Sequence, residues 1–354
     1  MKLLRLELRD FRGYDRLIYE PSDGLNVIEG ENGSGKTNLV EAIYCLSLGR
    51  GWRSNEFAPL IKDGKEFAKI TAFGENENGK TKVELIFTKD ERRALLNGKA
   101  VKKLSELAKL FPVSLFTPSD ASLFTGSPKN RRGFLDVAIS SKNQSYFEAI
   151  CRYGKLLSER NVVLKEEKPN RDQIDVIDSQ MARECVAIIG SRRDFVSRVN
   201  KILDGLANAL YGAKRTLRIV YRPFIKGDDI EKGALEAFHM NVDVDIIRKT
   251  TSCGPQREDF SALLDGKDVG IYGSRGENRI AAIALKLSPS FVQKENGTPI
   301  VILDDVYGEL DDERAKNLTA VLKKSGQVFV TTTGITVTGA SYTELHKHNV
   351  TRRN

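Results

Sequence analysis

The sequence has few of the residues that build metal sites and disulfide frameworks. Its 354 residues include four cysteines, widely spaced and without a C-x-x-C pair, and three histidines. These numbers argue against a disulfide framework and against a structural zinc site. The sequence also lacks an apolar run near the ~20 residues that a membrane-spanning helix needs. The opening segment, MKLLRLELRDF, has no hydrophobic signal core. We therefore expect a cytoplasmic protein of a reducing compartment, with no membrane partner.

Charge and apolar content predict a packed chain with a moderate basic excess. Apolar residues make up 40% and charged residues 29% of the sequence, which argues against wholesale disorder. At ~150 residues per domain, the length predicts two domains. The 56 lysines and arginines exceed the 48 aspartates and glutamates, giving a net charge of +8. This excess permits a polyanionic partner such as nucleic acid without requiring one.

Short apolar runs predict a layered α/β structure in the first part of the chain. Leucine alternates with charge near the start, so Leu4, Leu6 and Leu8 are expected on one face of a strand. A second strand, Leu25–Ile28, leads into a glycine-rich turn and a helix from Lys36 to Leu48. The other predicted elements here are strands at Phe67–Phe73, Val83–Thr88 and Val113–Thr117 and a hairpin turn at Asn97-Gly98. The mixture predicts an α/β layer fused to a small antiparallel sheet.

Helical periodicity from about Gln144 predicts an insertion. Two apolar-periodic segments separated by Pro169-Asn170 predict two long helices that form an antiparallel arm. Core helices of a compact second domain are an equally weighted alternative. The elements predicted after the insertion are Leu217–Tyr221, Phe260–Leu264, Glu277–Val292, Ile300–Leu303, Asp312–Lys324 and Val328–Thr332. We predict a first α/β half at 1–140, a helical arm at 141–214 and a second α/β half at 215–354.

A phosphate-binding loop follows the strand that ends at Ile28. The residues that fit the pattern G-x-x-x-x-G-K-[ST] are Gly30, Glu31, Asn32, Gly33, Ser34, Gly35, Lys36 and Thr37. Glycines let successive backbone N–H groups point at phosphate oxygens, and the following helix presents its positive end to the same anion. Lys36 is expected to reach the β and γ phosphates and Thr37 to bind Mg²⁺. The pattern predicts a nucleotide site.

Two carboxylates follow a buried-type strand near the other end of the chain. Ile300–Leu303 is apolar and Asp304 and Asp305 come directly after it, at the strand end where α/β sheets bind ligands. Alone, the pair could equally cap a helix. With the phosphate loop, Asp304 is predicted to hold Mg²⁺ and Asp305 to orient or deprotonate the attacking water. The 267 positions between Thr37 and Asp304 indicate a large insertion.

A serine-led helix precedes the acidic strand. Ser274 and Gly276 open an apolar helix, and such a helix start can bind an anion. This order of motifs resembles the ABC-type ATPases, whose signature motif binds the nucleotide of the opposite subunit. Gly308-Glu309-Leu310-Asp311 resembles the D-loop of the same class.

The motifs together resemble the RecF family, SMC-like ATPases of bacterial recombination, over essentially the whole chain. The residues that carry the resemblance are Phe11-Arg12-Gly13-Tyr14, the loop from Gly30 to Asn38 with Leu39-Val40-Glu41-Ala42-Ile43, Gly49-Arg50-Gly51-Trp52-Arg53, Pro128, Arg131-Arg132-Gly133-Phe134-Leu135-Asp136, Arg160-Asn161, Gly254-Pro255, 274–279 and Leu303-Asp304-Asp305-Val306.

The resemblance implies a function in recombinational repair. It implies an ABC-type ATPase head with a helical insertion, weak DNA-stimulated ATP hydrolysis, and a homodimer that closes on two ATP molecules. It also implies that Arg12 and Asn38 contact the nucleotide. The implied partners are double-stranded DNA beside gaps and the mediators RecR and RecO, which together help load a recombinase.

Four segments depart from the pattern of the family and its ABC relatives, among them Gln256-Arg257-Glu258-Asp259 and Glu277. The segment expected to act as the Q-loop has Pro118-Ser119-Asp120 without glutamine, so the resemblance makes Asp120 a candidate sensor of Mg²⁺ and γ-phosphate. Thr331-Thr332-Thr333 occupies the region where transporters have a switch histidine.

Four arginines are the main candidates for DNA contact: Arg50, Arg53, Arg131 and Arg132, with Arg192-Arg193 of the arm as a further pair. Ordinary surface charge explains any one of them at least as well. Three other functions remain open: the ATP-binding subunit of an ABC transporter, an ATP-gated structural DNA clamp with negligible turnover, and a nuclease fused to an ABC head. The nuclease has the least support, because the sequence has no separate cluster of metal ligands.

Overall fold

The chain folds into two compact units built from interleaved segments. The computed structural model describes residues 2–54, 56–76, 79–102, 105–292, 298–334, 339–346 and 349–353. The first unit comprises Met1–Ala121, Ile202–Arg215 and Arg275–Asn354, and the second comprises Ser122–Lys201 and Thr216–Ser274. The second unit therefore extends on both sides of the arm predicted at 141–214.

The structure contains the predicted strands and helices together with several that the sequence patterns did not predict, among them β2, α3 and α6. Those of the amino-terminal segment are β1 (Lys2–Phe11), β2 (Tyr14–Tyr19), β3 (Leu25–Glu29), α1 (Lys36–Leu48), β4 (Ala68–Asn76), β5 (Gly79–Phe87), β6 (Arg92–Leu96), β7 (Lys99–Ala100), α2 (Ser105–Leu110) and β8 (Val113–Phe116). Those of the second unit are α3 (Pro128–Ser140), α4 (Gln144–Val163), α5 (Arg171–Tyr211, ending in the first unit), β9 (Leu217–Arg222), α6 (Ile230–Arg248), β10 (Asp259–Leu264), β11 (Lys267–Asp268) and α7 (Val269–Tyr272). The carboxyl-terminal elements are α8 (Arg275–Val292), β12 (Ile300–Leu303), α9 (Asp312–Leu322), β13 (Val328–Thr332), β14 (Ser341–His346) and β15 (Asn349–Arg353).

The first unit contains an antiparallel sheet in the order β2-β1-β4-β5-β6-β7. One face is apolar and packs on the core, with Leu6 and Leu8 of β1 fully buried. The prediction for Leu4 is wrong, because a register shift between Leu3 and Arg5 puts Leu3 on the buried face instead. Such a bulge inserts one residue and reverses the alternation beyond it.

A second sheet of the first unit positions the predicted phosphate site. Its order is β15-β14-β3-β13-β12-β8. All neighbouring strands pair in parallel, except that β14 pairs antiparallel with β15. Every residue of β12 is buried, as expected for a strand covered on both faces. Because β3 and β12 both pair parallel with β13, the carboxyl ends of these strands lie at the same edge of the sheet, on either side of β13. The segment after Gly334, for which no element is predicted from the sequence, supplies β14 and β15. Residues 335–338 and 347–348 of this segment lie outside the described residues.

The second unit holds its helices together partly through a buried ionic cluster. Arg160 of α4 donates from Nε to Asp178 of α5 at 2.5 Å and from Nη1 to Asp245 of α6 at 2.7 Å. All three side chains are fully buried. The sequence pattern predicts no element over the stretch of α6, because Met240 and Ile247 are apolar but exposed and obscure the buried face of this helix.

Aromatic packing explains why the second unit extends beyond the predicted arm. The ring of Phe134 on α3 lies 6.2 Å from Phe195 on α5 and 6.3 Å from Phe260 on β10. These contacts join segments on both sides of the arm into one core. Among the described residues, no helix is both long and apolar enough to cross a membrane.

Candidate nucleotide site

The loop between β3 and α1 has the backbone shape of a phosphate cradle. Gly33 and Gly35 adopt left-handed conformations with φ of 82° and 105°, which residues with a Cβ rarely adopt. A Cβ on Gly30 would lie 2.5 Å from the carbonyl oxygen of Leu345 and 2.7 Å from Oγ of Ser34. The loop therefore requires glycine at these positions for steric reasons.

Lys36 is held inside the loop at the start of α1. Its Nζ donates to the carbonyl oxygens of Gly30 at 2.6 Å and Glu31 at 2.8 Å. Burial lowers the pKa of Lys36, while the negative charges of Asp305 and Asp304 act in the opposite direction. The loop thus contains a cation that a phosphate oxygen can take over from the two carbonyls.

Thr37, Asp304 and Thr331 form a hydrogen-bonded group at the sheet edge. Oδ1 of Asp304 accepts from Oγ1 of Thr37 at 3.0 Å and from Oγ1 of Thr331 at 2.7 Å. The backbone N–H of Asp305 donates to the same Thr331 hydroxyl at 2.9 Å. Burial raises the pKa of Asp304, although these hydroxyls partly offset the effect. Thr331 lies in the region where transporters have a switch histidine, and the parallel pairing of β12 with β13 explains its contact with Asp304.

The donor set fits a nucleotide with Mg²⁺. A threonine hydroxyl next to a carboxylate offers the hard oxygen ligands that Mg²⁺ prefers. The loop supplies glycine N–H groups and the Lys36 ammonium for phosphates. The buried Oγ of Ser34 has no hydrogen-bond partner within the described chain, so it too is available to a phosphate oxygen.

Glu41 of α1 is a site residue that sequence reasoning did not single out. Its carboxylate is fully buried and accepts from Nε of Arg12 at 2.9 Å and from Nε and Nη2 of Arg53 at 3.1 and 2.5 Å. Arg53 also donates to Oδ1 of Asn38 at 2.6 Å. Although burial opposes it, the hydrogen bonds from Arg53 and Arg12 hold the pKa of Glu41 below its usual value. The sequence feature that could have identified Glu41 is its position as an acidic residue within the apolar stretch of α1.

The two arginines around Glu41 leave a positive charge beside the phosphate loop. Arg12 and Arg53 carry two positive charges and Glu41 neutralises one of them. Arg12 was expected to contact the nucleotide and Arg53 to contact DNA, and one buried acid fixes the positions of both.

Asp120 does not join the carboxylate group at the sheet edge. Oδ1 of Asp120 lies 2.8 Å from Nζ of Lys286, and Oδ2 accepts from the N–H and hydroxyl of Thr117. Both oxygens are therefore engaged, with Lys286 and Thr117. This arrangement does not support the prediction that Asp120 binds the metal.

The predicted signature helix is tied to the segment after the acidic strand. Ser274 precedes α8 directly, and Gly276 lies in its first turn, where a Cβ would come 3.0 Å from Arg314. Arg279 of α8 pairs with Glu309 and donates from Nη2 to the carbonyl oxygen of Val306 at 3.0 Å. The D-loop-like segment is thus linked to the signature helix of the same chain.

Two of the four DNA candidates are engaged inside the second unit. Arg131 is buried, pairs through Nε and Nη2 with both oxygens of Asp259, and donates from Nη1 to three backbone carbonyls. Nη1 of Arg132 donates to the carbonyl oxygen of Glu258 at 2.8 Å. The prediction that Arg131 contacts DNA disagrees with this position, because no guanidinium nitrogen is left for a phosphate. Arg50 is exposed.

A separate group of possible metal ligands lies in the second unit, where the sequence analysis expected none. Ligand atoms of Asp175, Asp178 and His239 lie within 4.8 Å of one another. Arg160 occupies both oxygens of Asp178, at 2.5 and 3.2 Å. A bound cation would meet this guanidinium, so the group does not form a favourable metal site.

Comparisons with known proteins agree with this geometry. The family model described as the RecF/RecN/SMC N terminal domain matches residues 2–347. A protein of Shouchella clausii named DNA replication and repair protein RecF is 33% identical over 340 residues, covering 93% of this chain and 91% of that protein. The Bacillus subtilis protein of the same name is also 33% identical, with 95% and 94% covered.

Solved structures give the same result for the fold. A structure titled as the recombination mediator protein RecF with ATP has a TM-score of 0.90 at 28% identity and covers 100% of this chain and 98% of that chain. An Smc head domain of Pyrococcus furiosus has a TM-score of 0.59 at 15% identity, covering 99% and 96% of the two chains. The predicted ABC-type head with an insertion is therefore confirmed as the fold. The chain belongs to the RecF family of SMC-like ATPases.

Proposed function

We propose that this chain binds ATP with Mg²⁺, hydrolyses it, and acts on DNA in replication and repair. The observation that carries the proposal is the hydrogen bond between Thr37 and Asp304, which joins the phosphate loop to the acidic strand across the insertion. RecF relatives named for DNA replication and repair, and a RecF structure titled with ATP, support the choice of nucleotide and process.

The site residues have distinct roles in this proposal. Lys36 and the loop from Gly30 to Asn38 hold the triphosphate, while Thr37 and Asp304 hold Mg²⁺. The metal, when bound, neutralises phosphate charge. Asp305 orients or deprotonates the attacking water. Glu41 fixes Arg12 beside the loop, where its guanidinium adds positive charge.

ATP is proposed to close a homodimer. Ser274 and Gly276 of one copy would face the phosphate loop of the other, giving two nucleotides in a two-fold interface. A nucleotide that contacts both copies only in the closed state shifts the equilibrium toward the dimer.

Sedimentation with ATP tests the closure. Ser274→Arg adds a bulky side chain at the helix start and should keep the protein monomeric, while the matched variant Ser145→Arg, at an exposed position of α4, should dimerise normally. Dimerisation of Ser274→Arg like the wild type would refute the closing mechanism.

DNA is the proposed macromolecular partner, with RecR and RecO as protein partners during recombinase loading. Gel filtration of a duplex oligonucleotide with ATP, ADP or no nucleotide tests the DNA part, with Lys36→Met as the nucleotide-binding control. Complex formation with ATP alone supports ATP-gated DNA binding. A complex that forms equally with ADP, or equally in the control, contradicts it.

The transporter alternative is not favoured, because the matched relatives are RecF proteins.

A further inference from the structure

The solvent-facing side of the antiparallel sheet carries an ordered row of positive charge. Residues alternate between the two faces along each strand, and the register aligns side chains of five strands. The row, which we call the cationic row, consists of Arg16 (β2), Arg9 (β1), Lys69 (β4), Ile86 (β5) and Arg93 (β6). Four of its five members are cations.

The cationic row is accessible. The side chains of Arg9 and Arg93 are 65% and 79% exposed, Arg16 is exposed and Lys69 is about one-third exposed at 34%. At ~4.8 Å between strands, the row spans ~19 Å across the sheet. It therefore forms a positive strip across the exposed face of the sheet.

The arrangement is unfavourable for the isolated sheet. Arg9 stands opposite Arg16 on one side and opposite Lys69 on the other. Like charges directly opposite each other on neighbouring strands destabilise a sheet. The next row along the same face contains no such pair of cations: it is Ile18, Glu7, Thr71, Glu84 and Leu95. The repulsion is thus concentrated in one row, where a polyanion would relieve it.

The nearby acidic side chains do not neutralise the positive charge of the cationic row. Arg9 lies 3.6 Å from Asp10 and Arg93 lies 3.9 Å from Glu91, and exposed pairs of this kind contribute little. Lys69 pairs more closely with Glu84, at 2.6 Å, but Glu84 also lies 3.2 Å from Lys82. Within the described residues, Arg16 has no carboxylate at ion-pair distance.

We propose that the cationic row is a docking surface for the phosphate backbone of double-stranded DNA. Arginine and lysine side chains set one strand apart on a sheet face would contact backbone phosphates, and such contacts do not read the base sequence. The proposal rests on the DNA-binding function proposed above and names its surface. It also takes the place of Arg131, whose guanidinium is buried against Asp259.

Salt-dependent DNA binding tests the row. The triple variant Arg9→Gln, Arg16→Gln, Arg93→Gln removes three exposed cations. The matched control Lys80→Gln, Lys99→Gln, Lys102→Gln removes three exposed cations that lie outside the row. The affinity for a duplex oligonucleotide is measured with ATP and Mg²⁺ over a range of salt concentrations.

We expect the slope of log affinity for DNA against log salt concentration to change in the row variant and not in the control. Each lost phosphate contact removes about 0.9 from the log–log slope, so three contacts remove about 2.7. The control should keep the wild-type slope, and both variants should bind ATP normally. Loss of like-charge repulsion should leave the thermal midpoint of the row variant at or above that of the wild type.

Three outcomes would overturn the proposal, and they are distinguishable. A row variant with the wild-type slope, while the wild type binds DNA, refutes this surface and leaves the DNA-binding function standing. A wild type that binds no DNA at all refutes the DNA-binding function itself. Binding to anionic phospholipid vesicles in place of DNA, lost in the row variant, would assign the row to a membrane surface.

Discussion

Oγ1 of Thr37 lies 3.0 Å from Oδ1 of Asp304, although 267 residues separate them in the chain. The contact exists because β3 and β12 flank β13 in one parallel sheet, so that both carboxyl ends reach the same edge. It closes the phosphate loop against the acidic strand.

Asp304→Asn should stabilise the nucleotide-free protein and abolish Mg²⁺-dependent ATP binding. Burial raises the pKa of Asp304, so its ionised form is disfavoured in the folded state. Asparagine keeps an oxygen for Thr37 and Thr331 and removes the buried charge. We expect the thermal midpoint at pH 7 to rise by about 2 °C, which corresponds to ~1 kcal/mol in a large domain.

The pH dependence checks the cause of this stabilisation. A carboxyl whose folded pKa is raised contributes stability at low pH and loses it as pH rises through the folded value. The advantage of Asp304→Asn over the wild type should therefore grow as pH rises above about 4, the ordinary pKa of aspartate. Urea unfolding from pH 4 to 8 measures it. An advantage that stays constant with pH would contradict the assigned cause.

Asp305→Asn should separate hydrolysis from binding. The carboxylate follows Asp304 and is exposed, as a group that acts on water must be. Loss of general-base action costs about 10²- to 10⁴-fold in rate, while ATP affinity should stay near the wild-type value. Single-turnover hydrolysis and a binding titration measure the two effects, with Asp312→Asn as the control. Equal rates for Asp305→Asn and the wild type would favour the structural clamp.

Glu41→Ala should destabilise the first unit strongly. The substitution leaves Arg12 and Arg53 without their buried partner, and breaking a buried ion pair in this way costs ~3–5 kcal/mol. Glu91→Ala, at an exposed ion pair of 3.9 Å, is the matched control and should cost under ~1 kcal/mol. Urea unfolding gives both values.

The Glu41 carboxylate should also contribute to acid sensitivity. Its pKa is lowered in the folded state, so the stability that it contributes is present above the unfolded pKa and is lost as pH falls below about 4.3. Glu41→Ala should therefore lose less stability than the wild type between pH 5 and pH 3. A parallel loss in both proteins would contradict the role assigned to this carboxylate.

Arg131→Gln should act on stability rather than selectively on DNA binding. Removing the guanidinium leaves Asp259 and three backbone carbonyls without their donor, a loss of ~3 kcal/mol or more. Lys129→Gln, at an exposed position two residues earlier in the same helix, should change stability by less than ~0.5 kcal/mol. Chemical denaturation tests both variants. A fully stable Arg131→Gln with weakened DNA binding would restore the original prediction.

Local patterns were enough to predict much of the fold and the centre of the site. The helix over Lys36–Leu48 and the strand Ile300–Leu303 agree with the structure residue for residue. Both are short segments whose apolar runs are bounded by glycine or acid, so their limits depend on neighbouring residues alone. The bulge in β1 was not predictable in this way, because a register shift depends on the partner strand.

The sequence by itself determined which functional groups this protein has: a phosphate-binding loop, two adjacent carboxylates, a serine-led helix and an excess of basic residues. Only the tertiary structure decided which of these groups meet. It brought Thr331 to Asp304, enclosed Glu41 between Arg12 and Arg53, buried Arg131, and aligned Arg9 with Arg16 and Lys69. The physical reason is that cross-strand register and burial are set by contacts between distant segments, whereas motif identity is set by adjacent residues.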